Sequence, residues 1–162
     1  MEENELIRLL LDKCFRYLAV RPRSEHEMRL YLQKRKQSET IIEKTMVILK
    51  EKGFVNDGEF VTWWVEQRSF HKQKGNILLK NELLQKGVNK DIIAQVLEDK
   101  PIDEVELAKN ALVSKGKMLS HFRDGEQYKK AISFLQRRGF SYTVSKKAFE
   151  EWKNMEYNTD NL

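Results

Sequence analysis

The sequence predicts an all-α fold of three tandem three-helix repeats, about nine helices in total, and three observations point to it. Apolar residues recur at helical spacing almost everywhere, and no stretch alternates apolar with polar residues for the length of a strand. Only two prolines and seven glycines interrupt the 162 residues. Three of the glycines share one local pattern: Lys52-Gly53-Phe54, Lys86-Gly87-Val88 and Arg138-Gly139-Phe140. In each, a cation meets the last helix carbonyls, the glycine turns left-handed and the apolar residue folds back on the last turn.

The first helix is expected over 3–20, where Leu6, Leu10, Cys14 and Leu18 recur every four residues and Ile7, Leu11 and Phe15 widen the stripe. Pro22 ends it, because proline keeps its predecessor extended. Ser24-Glu25-His26-Glu27 is a capping box opening a second helix over 24–35. Thr40-Ile41-Ile42-Glu43 offers the same device for a third over 40–52, and Asn56 or Asp57 can cap a fourth over 57–71. Phe60, Trp63 and Trp64 share a face of that helix. Trp63, Trp64 and Phe70 are expected to pack in the core, with one of the adjacent indoles partly exposed. A fifth helix spans 75–86, and a sixth spans 90–98 with Ile92, Ile93, Val96 and Leu97 on one face. The last three fall at 103–116, 126–138 and 142–153, with Val144, Ala148, Phe149 and Trp152 forming the final stripe. The polar tail 154–162 is expected to fray.

The helices group in threes because the pattern repeats. A shift of 52 carries Leu83 onto Leu135, Lys86 onto Arg138, Gly87 onto Gly139, Val88 onto Phe140, Ile92 onto Val144 and Leu97 onto Phe149. A shift of 51 carries Met28 onto Leu79, Leu32 onto Leu83, Ile41 onto Ile92 and Met46 onto Leu97. The repeats are therefore placed at 1–55, 56–101 and 102–153. Each has a small core, so stacked neighbours should stabilise one another. The first is the weaker copy, with Lys36 where the others carry glycine.

Composition narrows the function. Charged residues make up 34% of the chain, and the mean hydropathy of −0.67 leaves much polar surface for an open or elongated shape. No apolar run approaches the ~18 residues that span a bilayer. The acidic start, Met1-Glu2-Glu3-Asn4-Glu5, is unlike a signal peptide. A single cysteine, Cys14, cannot form an internal disulfide. A cytoplasmic chain with no membrane partner is expected. His26, His71 and His121 lie 45 and 50 residues apart with no cysteine near them, so no metal site is expected. Gly53 and Gly58 have phosphate-loop spacing, but Glu59 and Phe60 follow where Lys and Ser or Thr are needed. Cys14 lies on an apolar face and reads as a structural thiol. No catalytic set and no cofactor are expected.

The charge points to binding instead. The net charge is +5 and unevenly spread. Six cations face one acid, Glu82, between Gln67 and Lys90, and ten face Asp124 and Glu126 between Lys109 and Lys147. Asp91 to Glu106 reverses this, with six acids and one lysine. Clustered cations favour a polyanion or an acidic protein face. Arg21 and Arg23 flank Pro22 and should project from a stiff corner, able to hold phosphate or carboxylate in bidentate fashion. Lys34-Arg35-Lys36, Lys72-Gln73-Lys74 and Arg137-Arg138 sit at helix ends. Dipole complementarity alone would explain each of these, but not their recurrence at comparable edges of successive repeats. With Arg68 and Lys86 they complete the candidate contact set: Arg21, Arg23, Lys34, Arg35, Arg68, Lys72, Lys74, Lys86, Arg137 and Arg138.

Taken in order, these stretches resemble the RecX family of bacterial regulatory proteins. Arg21-Pro22-Arg23-Ser24 with Glu27-Met28 and Leu32 is similar to the family's first signature. Phe54-Val55-Asn56-Asp57, Phe60, Trp64, Val65 and Arg68, then Lys74-Gly75 and Glu82-Leu83 to Lys86-Gly87-Val88, is similar to the central one. Arg137-Arg138-Gly139-Phe140 with Val144 is similar to the third. Met28, Gly58 and Val61 depart from the usual residues.

The resemblance implies an elongated, curved molecule that binds in the helical groove of the RecA–single-stranded DNA filament. It also implies inhibition of RecA's ATP turnover, strand exchange and coprotease activity. The expected partners are the RecA filament and single-stranded DNA, the latter weakly or as carried by the filament, with the chain acting as a monomer. The competing reading is a tandem helix-turn-helix protein that binds DNA directly. It needs exposed base-reading residues in the first turns of the third helices, which begin Thr40-Ile41-Ile42, Lys90-Asp91-Ile92 and Tyr142-Thr143-Val144 and look core-directed.

Overall fold

The computed structural model describes residues 2–160; among them there are ten helices and no strand. The helices are α1 (Glu3–Val20), α2 (Glu25–Gln33), α3 (Glu39–Glu51), α4 (Asp57–Lys72), α5 (Asn76–Gln85) and α6 (Lys90–Asp99). They continue with α7 (Glu104–Val113), α8 (Gly116–Leu119), α9 (Asp124–Arg137) and α10 (Tyr142–Asp160). The extra helix arises because the segment expected as 103–116 breaks after Val113. Ser114 and Lys115 form the turn, and a short helix restarts at Gly116. The helix expected to end at 153 continues as α10 to Asp160, so most of the tail is helical. Asn161 and Leu162 lie outside the described residues.

The caps follow the side chains available. At α2 the capping box forms: the Glu27 amide donates to Ser24 Oγ at 3.1 Å, and the Ser24 amide donates to Glu27 Oε2 at 3.2 Å. At α3 the cap is Ser38, two residues before Thr40, with Oγ accepting from the Ile41 amide. Asn56 and Asp57 are both used. Asn56 Oδ1 accepts from the Glu59 amide of its own helix, and Asp57 Oδ1 accepts from the Glu25 amide of α2. The three expected helix stops all form. Gly53, Gly87 and Gly139 take φ of +73°, +74° and +90°. Behind them the Phe54, Val88 and Phe140 amides donate back to Leu49, Leu83 and Leu135 carbonyls.

Two compact units result, and each has its own core. The first holds the chain up to Trp64 together with Leu83–Asp99. Leu10, Cys14, Met28, Leu32, Ile42, Met46 and Leu49 fill it from α1, α2 and α3. The second holds Val65–Glu82 and the chain from Lys100 onward. There Ala111, Leu112, Leu119, Ala131, Leu135, Ala148 and Trp152 are buried. The repeat register holds at Leu32, Leu83 and Leu135, all fully buried. It slips at Ile92, which is 36% exposed while Ile93 takes the inward position. Trp64 is buried and Trp63 half-buried, as adjacent indoles on one helix require. Phe70 differs from expectation: it lies near the end of α4 and is 62% exposed.

Each unit contains one joint, and the two joints are alike. In the first unit, the N-terminus of α2 sits on the C-terminal turn of α5. Ser24 Oγ donates to the Lys86 carbonyl at 2.6 Å, and the Glu25 amide donates to Asp57 at the start of α4. In the second, the N-terminus of α5 sits on the C-terminal turn of α9. The Gly75 and Ile77 amides donate to the Arg138 and Gly139 carbonyls, and the Asn76 amide donates to Glu104 at the start of α7. Both joints use helix amides that have no partner within their own helix.

Candidate functional site

The candidate cations do not form one open surface; the structure divides them into three kinds. The first kind is bound to a half-buried carboxylate. In the first unit Glu27 receives Arg21 in a fork, Nη2 to Oε1 at 2.7 Å and Nη1 to Oε2 at 3.1 Å. Lys86 Nζ reaches the same Oε1 at 3.0 Å and stands 5.3 Å from the Trp64 ring centroid. Burial opposes the charged carboxylate, but hydrogen bonds from Arg21, Lys86 and the Ser24 amide overcome it and hold the Glu27 carboxyl down at about 2. In the second unit Glu82 plays this part, with Lys74 Nζ at 2.6 Å and Arg68 Nε at 3.3 Å. Arg21 therefore does not project from the Pro22 corner as the sequence reading expects. Its guanidinium turns back onto Glu27, where a fixed fork matches a carboxylate.

The second kind is stacked on tyrosine. Arg23 Cζ lies 3.8 Å from the Tyr17 ring centroid, Tyr17 and Tyr31 are 4.1 Å apart and nearly parallel at 8°, and Arg35 Cζ lies 3.4 Å from Tyr31. A ring has only two faces, so these distances require the order Arg23, Tyr17, Tyr31, Arg35. The stack is tied down by the Tyr31 hydroxyl on the Lys13 carbonyl and by Arg35 Nη1 on the Tyr31 carbonyl. Cation–π contact fixes each guanidinium plane and leaves Nη groups for other acceptors, although Arg23 Nε is itself buried without a partner. Arg138 is held similarly, over the Phe134 ring at 4.9 Å with Nη1 donating to the Lys72 carbonyl.

The third kind is available. Lys34 and Lys72 have exposed side chains that none of the described residues holds, and exposed Arg137 makes one hydrogen bond, to Ser133 Oγ. Sequence reasoning missed the tyrosines, because nothing local to Tyr17 or Tyr31 marks a pair fourteen residues apart as a stack. A signal for Glu82 was present: it is the one acid among six cations between Gln67 and Lys90.

The other side chains offer little chemistry. Burial pushes the Cys14 thiol up to about 11, partly offset by Arg35, so it stays protonated. Among the described residues no group of three or more His, Cys, Asp and Glu could hold a metal ion. No described helix is long and apolar enough to cross a membrane. Helix α3 opens on Glu39 with Ile41 and Ile42 buried, and α6 opens on Lys90 and Asp91 with Ile93 buried. Buried aliphatics cannot reach base edges, and acids beside them repel the phosphates; α10 differs, opening on exposed Tyr142 and Thr143.

Comparison with known proteins agrees with this architecture. Residues 11–47 match the model of the RecX first three-helix domain, and residues 56–97 match that of the second. A regulatory protein RecX from Chlorobium phaeobacteroides is 33% identical over 131 residues, covering 80% of this chain and 83% of that protein. One from Streptococcus pneumoniae is 31% identical over 83% of this chain, and one from Listeria welshimeri is 30% identical over 95%. The chain spans 52% and 58% of those two longer relatives. The crystal structure of RecX from Lactobacillus salivarius superposes with a TM-score of 0.82 over 91% of this chain and 96% of that one. At 21% identity this likeness speaks for the fold alone. The two domain matches and a relative one-third identical across most of both chains identify the protein as a member of the RecX family of regulatory proteins.

Proposed function

We propose that this chain binds the RecA–single-stranded DNA filament in its helical groove and restrains RecA's ATP turnover, strand exchange and coprotease activity. The observation that carries the reading is its match to 83% of the Chlorobium regulatory protein RecX. In this reading the chain acts in the cytoplasm as a monomer, through contacts and not through chemistry of its own. The three-helix groups at 1–55, 56–101 and 102–153 each present a cationic edge to successive elements of the filament, so weak contacts add. The contacts are made by Lys34, Lys72 and Arg137 and by the open edges of Arg23 and Arg35. Arg21, Arg68, Lys74 and Lys86 act indirectly, by holding Glu27 and Glu82 and so shaping the edges.

Co-sedimentation on single-stranded DNA at physiological salt tests this, with and without RecA and a non-hydrolysable nucleotide. Pelleting that requires the RecA filament, with slower ATP turnover, is the expected result. Equal pelleting on naked DNA with RecA activity untouched would replace it with direct DNA binding, whose affinity falls steeply as salt rises. Replacing Lys34, Lys72 and Arg137 together with alanine is expected to weaken filament binding about tenfold, since each exposed contact contributes roughly 0.5 kcal/mol. Unchanged binding would remove these residues from the contact set.

A further inference from the structure

Beside the C-terminal half of the second unit lies an open groove of about 570 Å³. Its floor is apolar: Met118 from α8, Phe122 from the following turn and Phe134 from α9. Its rim is basic, formed by Lys129, Lys130 and Arg137. The helix repeat explains the arrangement, because Glu126, Lys130, Phe134 and Arg137 lie on one face of α9, with Lys129 and Ser133 beside them. Met118 is 48% exposed although it is a large apolar side chain, so the floor is open to solvent. The rim carries a net positive charge. Glu126 is the only acid among the lining residues and stands 3.9 Å from Lys130. Lys129 is exposed, with no partner among the described residues.

We propose that this groove is a docking site for an acidic peptide segment that carries one large apolar side chain. The apolar residue would rest on Met118 and on the ring edges of Phe122 and Phe134, and flanking carboxylates would meet Lys129, Lys130 and Arg137. An apolar anchor surrounded by charge-complementary contacts is a common division of labour in peptide recognition.

Single-stranded nucleic acid is the other anionic occupant to consider, and the aromatic geometry disfavours it. Base stacking needs a free ring face. Lys130 Nζ already stands 4.5 Å from the Phe122 centroid. Phe134 carries Arg138 at 4.9 Å and Lys115 at 6.0 Å. The remaining floor is a thioether, which adapts its shape to an aliphatic or aromatic side chain.

The test is titration of the isotope-labelled full chain, followed by NMR, with two end-blocked synthetic peptides: Asp-Glu-Phe-Asp-Glu and Asp-Glu-Ser-Asp-Glu. The expected result is shift changes centred on Met118, Phe122, Ser133 and Phe134, with the phenylalanine peptide binding at least tenfold more tightly. Met118→Ser is expected to weaken the phenylalanine peptide several-fold and leave the serine peptide unchanged, whereas Lys129→Glu weakens both. Both substituted side chains are exposed, and unchanged melting of the variants checks that each still folds. Equal affinity for the two peptides would overturn the proposal and leave a bare basic patch. Shift changes elsewhere would also overturn it, as would a five-nucleotide oligo-dT that occupies the same residues and is not displaced by the phenylalanine peptide. None of these measurements involves RecA, so the groove can fail while the filament reading stands, and the reverse.

Discussion

Glu27 joins residues that lie far apart in the sequence of the first unit. Its carboxylate closes the capping box of α2, accepts the Arg21 fork and anchors Lys86, just past the end of α5. As the pH falls, the unfolded chain takes up this proton near 4.5 and the folded chain only near 2. Between those values the unfolded state binds more protons, so the stabilisation is complete above about pH 4.5 and lost as the pH falls towards 2. Glu27→Gln is therefore expected to cost about 2 kcal/mol at pH 7, because it strands two cations beside each other, and to flatten this acid limb. Urea unfolding of both proteins at pH 7, 4.5 and 3 checks it; parallel pH profiles would refute it. Asp57, whose carboxyl burial pushes up, acts in the opposite sense; burial is common to both proteins, but the Glu27 charge adds to the rise, so the substitution also eases it at Asp57. Part of this residue's role was legible in the sequence, since Ser24 and Glu27 stand at capping-box spacing. The rest was not. Lys86 is 59 residues away, and a charge read from sequence carries no record of the partner that neutralises it.

Helix ends show why four left-handed positions are not equivalent. Five described residues have positive φ; one is Gln73 after α4, and the four compared are Gly53, Gly87, Gly139 and Lys36. A Cβ at Gly53 would meet nothing within 4 Å, whereas at Gly87 it would lie 2.4 Å from His26 and at Gly139 2.3 Å from Leu78. The two crowded glycines are the ones on which the N-termini of α2 and α5 rest. Gly53→Ala is thus expected to cost about 1 kcal/mol, the strain of the conformation alone. Gly87→Ala and Gly139→Ala are expected to cost at least about 2 kcal/mol, because His26 or Leu78 must also move. Lys36→Gly relieves the same strain and is expected to stabilise by up to about 1 kcal/mol. Thermal melting of the four variants should order them accordingly, and equal losses at Gly53 and Gly87 would show that the joint contributes nothing. The repeat alignment found Lys36 opposite the glycines, and the turn itself explains why all four positions matter. Sequence could not show which turns carry a neighbouring helix. Nor did it show the break between α7 and α8, because Ser114-Lys115-Gly116 contains no proline and continues an acceptable helical pattern.

At the scale of the whole chain, the three-helix groups read from the sequence are not the units that close on themselves. Each compact unit reaches beyond its group: α2 depends on Asp57 and Lys86, and α5 depends on Glu104, Arg138 and Gly139. The periodicity of about fifty residues was legible because core leucines and stop glycines recur. The dependence was not, because it runs through backbone amides and carbonyls that every residue possesses. Repeat proteins in general draw part of their stability from contacts between adjacent repeats. Cutting the chain therefore has an asymmetric consequence. A fragment ending at residue 101 keeps Asp57, Lys86 and Gly87, so the start of α2 retains all its partners. It loses the acceptors for the Gly75, Asn76 and Ile77 amides. Those three amides are expected to exchange with solvent at least about fivefold faster than in the full chain, since each loses a hydrogen bond contributing roughly 1 kcal/mol or more. The Glu25 and Glu27 amides, bonded to Asp57 and Ser24, are expected to keep their protection. Hydrogen exchange followed by NMR on the fragment and the full chain measures both sets together. Uniform loss across the two joints would mean that the array folds as a single cooperative body, and unchanged protection at Gly75 to Ile77 would mean that the second joint is dispensable.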